Sequence, residues 1–194
     1  MTCFRVKSAL VTLVVLYCLN GTLALGLSPT ESSVTELAPG VFFRKAQTEP
    51  TFTGCNQGWI IFKDFVLVID ANFPGQAKQV IRLIREQTDK PIRYVFDTHH
   101  HGDHADGNSK YVRLGAAAVA SERSRVMFDT NGAAEFEKSQ KIKPDEYGPL
   151  NYEKPSVYFP HRLVIDDGTQ RRVAPVVMDY QRSPSRCPVA EVAD

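Results

Sequence analysis

Four of the chain's five histidines fall between His99 and His104, beside Asp97 and Asp103, in the stretch VFDTHHHGDHADGN. Imidazole nitrogen and carboxylate oxygen are the donors that hold zinc, at about 2.0–2.2 Å. They also serve iron and manganese, so donor type alone leaves the metal open. His99 and His101 stand two apart, and in extended backbone their side chains share one side. Gly102 permits a sharp turn directly after them, so Asp103 and His104 can point elsewhere. Two imidazoles can therefore serve one ion, and a carboxylate with an imidazole a second. His100 alternates away from its neighbours and is expected to face outward. The competing reading is a polar loop or a metal-buffering tract. Such tracts are low in complexity and lie in tails or linkers, whereas this one follows a strand.

The elements around the cluster read as a layered α/β fold. VTELAPGVFFRKAQ alternates loosely about a Pro-Gly turn and predicts a hairpin. Trp59–Phe62 and Phe65–Ile69 are two β-rich runs separated by Lys63-Asp64, a tight-turn candidate. The second is almost unbroken apolar and predicts a strand buried on both faces. Ala77, Val80, Ile81 and Ile84 fall at i, i+3, i+4 and i+7, with Lys78, Arg82, Arg85 and Glu86 opposite. That spacing predicts an amphipathic helix, bounded by Pro74 and Pro91. PIRYVF is then a strand, which makes Val66 to Phe96 a β-α-β unit with parallel pairing. In open α/β sheets, functional groups gather beyond the carboxyl ends of strands, which is where the histidines sit.

Further on, NSKYVRLG reads as a short helix, AAAVA as a short strand, and Ser121 as the cap of a helix running to Met127. Residues 129–155 are polar and rich in turn formers, and predict a long surface excursion. RLVIDDGTQRRV reads as a hairpin about the DDG turn. The last stretch carries three prolines and no period.

Apolar residues make up 43% and charged residues 23% of the sequence, which is ordinary for a globular domain. A net charge of +1 and no dense Lys/Arg cluster argue against a nucleic-acid partner. Residues 1–26 differ in kind. Arg5 and Lys7 precede the apolar run Ala9 to Leu19, and Ala24 and Gly26 supply small residues two apart. This is the pattern of a cleaved secretory signal. Asn20, Gly21 and Thr22 leave the run short for an uncleaved membrane anchor. The expected protein is exported, periplasmic or secreted, with no membrane association after cleavage. Cys3 and Cys18 leave with the signal. Cys55 and Cys187 remain and could pair in an oxidising compartment, although spacing does not decide it.

The run Thr98-His99-His100-His101-Gly102-Asp103-His104 resembles the T-H-x-H-x-D-H signature of the metallo-β-lactamase superfamily. NQGWIIFKDFVLVIDANF is similar to that family's opening hairpin, with Asp70 at its strand-end aspartate, and the likeness extends from Val34 to Val173. The resemblance implies an αββα sandwich with a one- or two-metal centre, most often zinc, in a groove at one edge. It implies that His99 and His101 hold the first ion and Asp103 and His104 the second. Asp103 would also orient or deprotonate the attacking water, as the catalytic residue. Asp70 would order the site from behind the ligands.

The family's third histidine, its bridging Asp or Cys and its final histidine find no matching context in this sequence. His161 lies before the DDG turn, and Asp179 and Cys187 lie outside any motif. The expectation is a domain over residues 34–173 that is incomplete at its C-terminal side. A disordered tail over residues 174–194 would follow. Such a portion is expected to expose apolar sheet surface and strand edges. The function implied is an exported metal-dependent hydrolase acting on a small molecule with an ester, thioester, lactone or lactam-type bond. The alternative is an inactive remnant or metal-binding protein that keeps the first half of the fold.

Overall fold

Apolar runs pair in the order that buries them. The computed structural model describes residues 34–46, 48–49, 52–168, 176–179 and 189–192, all within one unit, Ser32–Asp194. Residues 1–26, with the signal reading, and Cys187 lie outside the described residues.

The predicted opening hairpin is β1 (Val34–Ala38) with β2 (Val41–Arg44), turning at Pro39-Gly40. A two-residue pair, β3 (Thr48–Glu49) with β4 (Phe52–Thr53), follows. The next predicted pair is β5 (Gln57–Ile61) with β6 (Val66–Ile69). Helix α1 (Pro74–Gln87) leads to β7 (Ile92–Asp97), which runs parallel to β6. Two short helices, α2 (Gly102–Ala105) and α3 (Asn108–Val112), precede β8 (Ala117–Ser121), again parallel. With β9 (Val157–Phe159) these strands form one seven-stranded sheet in the order β1-β2-β5-β6-β7-β8-β9.

Strand alternation divides the core in two. Trp59, Val66, Val68, Val95 and Ala118 face Ala77, Val80 and Ile84 of α1. Ile60, Leu67, Phe96 and Val119 face the other way, with Phe62, Phe65, Phe159 and Ile165. Aromatic rings fill that second side: Phe62 stacks on Phe65 at 4.7 Å, and Phe65 meets Tyr94 edge-on at 5.7 Å. The central strands are thus buried on both faces, as the unbroken run in β6 predicts. The broad apolar exposure expected for this sheet is not found at its centre, where Ile60, Phe62, Leu67 and Phe96 are at most 2% exposed.

Three stretches differ from the sequence reading. Residues 129–155 are not a surface excursion. After a 3-10 turn at Glu122–Ser124, which Ser121 caps through Arg123 N, come α4 (Arg125–Met127), a π turn at Phe128–Gly132, α5 (Ala133–Ile142) and α6 (Pro144–Tyr147). Phe136, Tyr147 and Leu150 form a small buried cluster of their own. Their spacing is too sparse for a recognisable stripe, because the segment packs by a few large rings. Second, the DDG turn follows β10 (Arg162–Ile165), but the described strand that pairs with β10 begins only at Val176. β10 pairs with β11 (Val176–Asp179), Ile165 opposite Val176, across a longer connection. Third, β11 and β12 (Val189–Val192), the described residues beyond position 174, extend the β10 sheet. Prolines flank these strands, which hides them from a pattern search.

Truncating a ring in the α5–α6 cluster removes packing with little room to collapse. Phe136→Ala is expected to cost about 3–5 kcal/mol, as buried Phe→Ala changes do. The exposed neighbour Glu137→Ala should stay within about 0.5 kcal/mol. Urea denaturation of the two variants checks this; equal midpoints would mean the segment is the surface loop that its composition suggests.

Candidate metal centre

Strand β6 ends at Ile69, and the chain turns through two left-handed residues, Asp70 (φ 64) and Asn72 (φ 59). Asp and Asn are the side chains that tolerate this region best after glycine. The Asp70 amide still bonds Phe96 O at 2.8 Å, so the turn begins in register with β7. Ala71 N and Asn72 N then donate to His104 O at 2.7 and 3.1 Å, and Gly107 N donates to Asn72 O at 2.6 Å. The end of β6 and the α2 turn are stitched together by backbone. A Cβ on Gly107 would lie 2.5 Å from Ala71 O, so only glycine allows this approach.

The turn is also held from below. Arg44 is fully buried and donates to Gln57 Oε1 at 3.0 Å and to Gln76 Oε1 and Gln79 Oε1, both at 2.7 Å. Gln57 Nε2 donates on to Asp70 O at 2.9 Å. Asn72 Nδ2 reaches Cys55 O at 2.8 Å. Burial lowers the Arg44 pKa from its usual value, and three amide oxygens share the cation in place of a carboxylate.

Asp70 organises what lies above. Its Oδ1 accepts from Thr98 N and Thr98 Oγ1, both at 2.8 Å, and its Oδ2 lies 2.9 Å from His104 Nδ1. Thr98 Oγ1 also lies 3.3 Å from His99 Nδ1. The Nδ1 atoms of His99 and His104 are therefore both occupied by the Asp70–Thr98 pair, and each Nε2 faces the other way. Metal-binding histidines are commonly oriented in this manner, through a hydrogen bond from the remaining ring nitrogen. His104 Nε2 is 3.3 Å from Asp103 Oδ2, and the His99 and His104 rings are 3.8 Å apart between centroids.

His99 Nε2 and His101 Nδ1 approach to 3.2 Å. Two nitrogens bound tetrahedrally to one ion at about 2.0–2.1 Å would stand roughly 3.3 Å apart. His99, Asp103 and His104 place a ligand atom each within 4.8 Å of one another. The four residues singled out from the sequence are thus brought together, His101 joining through His99, and the donor set fits a divalent ion. Among the described residues a second group with the same spacing is Cys55, Asp70 and His104. Spacing gave no sign of Cys55, which stands far from the motif in the chain; only the fold of β5 against β6 brings it near.

His100 does not face outward. Its ring lies edge-on to Phe128 at 6.4 Å, part-buried under the π turn. His161 is exposed between β9 and β10 and belongs to neither donor group. Asp179 is in β11, where its side chain is outside the described residues. Cys55 is a buried free thiol.

The electrostatics follow from burial set against close partners. Burial, then the neighbouring His104 and His101, lowers the His99 pKa to about 4, so its imidazole is neutral at pH 7. Burial would raise Asp103, but the hydrogen bond and charge of His104 hold its carboxyl below the usual value. Burial would lower His104, but its bonds to Asp103, Asp70 and Cys55 push it up to about 12. Two more carboxyls lie close behind. Asp97 is fully buried, and burial pushes it well above the carboxylate range despite a 2.7 Å bond from Asn108 Nδ2. Burial likewise raises Asp106 to about 6, opposed by the hydrogen bond that Tyr147 donates from α6.

An open apolar cleft of about 270 Å³ runs along β2 and β5, lined by Val41, Phe43, Gly58, Ile60 and Ile69, the last directly before Asp70.

Comparison with known proteins agrees with this architecture. The sequence matches the profile of the metallo-beta-lactamase superfamily over residues 50–178. Among solved structures, a metallo-beta-lactamase from Pontibacter korlensis aligns with a TM-score of 0.56 at 17% identity, over 77% of this chain and 67% of that one. DIM-1 metallo-beta-lactamase, in a crystal exposed to ceftazidime, aligns with a TM-score of 0.53 at 13% identity. TMB-1 aligns at 0.51 and 15%. This chain spans 59% of the length of each of the latter two. At these identities the structural likeness speaks for the fold, an α/β arrangement with a mixed sheet. Because the profile covers well over half of the sequence, the chain belongs to the metallo-beta-lactamase superfamily.

Proposed function

We propose that this protein is an exported metal-dependent hydrolase. Its substrate would be a small molecule with an ester, thioester, lactone or lactam-type bond. The observation that carries the reading is the convergence of His99 Nε2, His101 Nδ1, Asp103 and His104, with two of the imidazoles fixed from behind by Asp70 and Thr98. His99, His101, Asp103 and His104 are the residues that would hold one or two divalent ions, zinc being the ion that best suits imidazole and carboxylate donors. When bound, such an ion lowers the pKa of water toward about 7 and polarises a carbonyl or phosphoryl oxygen.

The protein's own part is positional and acid–base. Asp103 remains ionised at neutral pH and stands at the open side of the cluster, where it can orient a water and accept its proton. Thr98 and Asp70 hold His99 and His104 in one ring orientation, so the donors need not reorganise during the reaction. The apolar cleft beside Ile69 suits the non-reacting part of an acyl substrate. Export is supported by Arg5, Lys7 and the apolar run Ala9 to Leu19 in the sequence.

A second reading, a metal-binding protein without turnover, is favoured by one observation. Among the described residues, His99 and His101 are the only imidazoles placed for a first ion apart from His104.

Metal content and turnover separate the two. Purified from zinc-supplemented cells, the protein is expected to retain zinc and to hydrolyse a generic lactone, thioester or lactam, with activity lost to a chelator and restored by zinc. Stoichiometric zinc with no turnover of any of these would leave the second reading standing. His101→Ala should abolish metal-dependent activity, and Asp103→Asn should lower kcat by about 10²–10⁴-fold, the usual worth of a positioned base. Unchanged rates would mean that the site is misassigned. Thr98→Val removes the link between Asp70 and His99 without touching an ion. It should weaken zinc binding about 10–100-fold, measured by competition with a chromophoric chelator; equal affinity would show that the imidazoles need no such support.

A further inference from the structure

The second donor group lies on the inner side of His104. Cys55, Asp70 and His104 each place a ligand atom within 4.8 Å of the others. Cys55 is 8% and Asp70 6% exposed, so two of the three donors are shielded from water. His99, Asp103 and His101 lie on the outer side and are more open. The two groups share only His104.

Cys55 is held in place by more than its own packing. Its carbonyl accepts from Asn72 Nδ2 at 2.8 Å. The preceding Gly54 lies so close to the same amide that a Cβ there would be 2.7 Å from Asn72 Oδ1. Asn72 itself belongs to the left-handed turn that begins at Asp70. The thiol and the carboxylate are therefore anchored to one another through one short stretch of backbone. Donor atoms around a zinc-sized ion stand about 3.3–3.8 Å apart, given bonds of about 2.0–2.3 Å.

We propose that Cys55, Asp70 and His104 form an inner metal site, selective for thiophilic divalent ions such as zinc, cobalt and cadmium. The ion binds His104 Nδ1 and Asp70 Oδ2, which face each other at 2.9 Å, and Cys55 Sγ as the thiolate, whose proton passes to solvent. Thiolate and carboxylate together neutralise the ion's two charges, which suits a buried position. Soft sulfur prefers zinc, cobalt or cadmium to magnesium, manganese or calcium. His104 then makes the two groups compete or share an ion pair. The inference rests on the metal-hydrolase reading for its setting, but it names a donor that the histidine motif does not contain.

Cobalt(II) titration of the full chain tests it, read by the near-ultraviolet thiolate-to-cobalt charge-transfer band. The band is expected in the wild-type protein, lost in Cys55→Ala and Cys55→Ser, and retained in His101→Ala, which alters only the outer group. Manganese should not protect Cys55 from alkylation, followed by peptide mass mapping, whereas zinc should. That measurement needs no variant, so it decides the matter even where the Cys55 variants fail to fold. Bound cobalt without a charge-transfer band, or a band that survives in a folded Cys55→Ala protein, overturns the inner site and leaves the hydrolase reading intact. A Cys55-dependent band in a protein that hydrolyses nothing supports the inner site and sinks that reading instead. Failure to bind cobalt at all overturns both.

Discussion

The carboxylate of Asp70 is the constraint on which the site depends. It accepts from the backbone and hydroxyl of Thr98 and lies within bonding distance of His104 Nδ1. Three separate pieces of chain meet there: the end of β6, the end of β7 and the α2 turn. Nothing in the strand pairing alone would bring the imidazole rings of His99 and His104 to 3.8 Å from one another. Asp70 does so because its left-handed backbone swings the carboxylate across the strand ends rather than along β6. Residues held in such sparsely populated regions cost of order 1–3 kcal/mol and persist where their surroundings over-determine them. Here the surroundings are a nearly continuous net of hydrogen bonds, from Arg44 through Gln57 to the Asp70 carbonyl, and from Asn72 to Cys55.

That net explains an otherwise costly choice. A fully buried arginine bonded only to amide oxygens desolvates a cation without direct neutralisation. Its return is geometric. The guanidinium ties β2 to β5 and to α1 at once, under the turn that carries Asp70. On the far side, Tyr147 of α6 bonds Asp106, and Glu146 accepts from Gly75 N at 2.8 Å at the start of α1. The α5–α6 segment thereby braces both the helix and the α2 turn, which gives these polar helices a role beyond covering the sheet.

The charge of the cluster is balanced by proximity. Three carboxyls, Asp70, Asp103 and the deeper Asp97, lie around His104, and burial has driven Asp97 toward its neutral form. The imidazolium of His104 stands where positive charge is most stabilised. His99, flanked by imidazoles as well as burial, is held neutral with a lone pair to offer. Of the two imidazoles, His99 is the one prepared to receive a cation directly.

Much of this could be read from residue order. The hairpin at Pro39-Gly40, the β5–β6 pair, the α1 stripe of Ala77, Val80 and Ile84, and the parallel β6–α1–β7 unit all follow local periodicity, and the structure has them. The spacing of His99, His101, Asp103 and His104 was legible for the same reason, since a strand end and a glycine turn are local. The α5–α6 segment was not, because Phe136, Tyr147 and Leu150 find one another without a repeating pattern. β11 was not, because its partner β10 lies across a long connection and pairing at that range leaves no periodic trace. His100 was placed outward by alternation, yet Phe128, fixed by a π turn, meets its ring. By itself, the sequence determined which local elements form and which side chains carry the chemistry, since period and spacing are properties of neighbours in the chain. Only the tertiary structure decided that Asp70, Thr98 and Cys55 enclose His104. Those contacts cross from one strand end to another, and they exist only once the sheet has set its register.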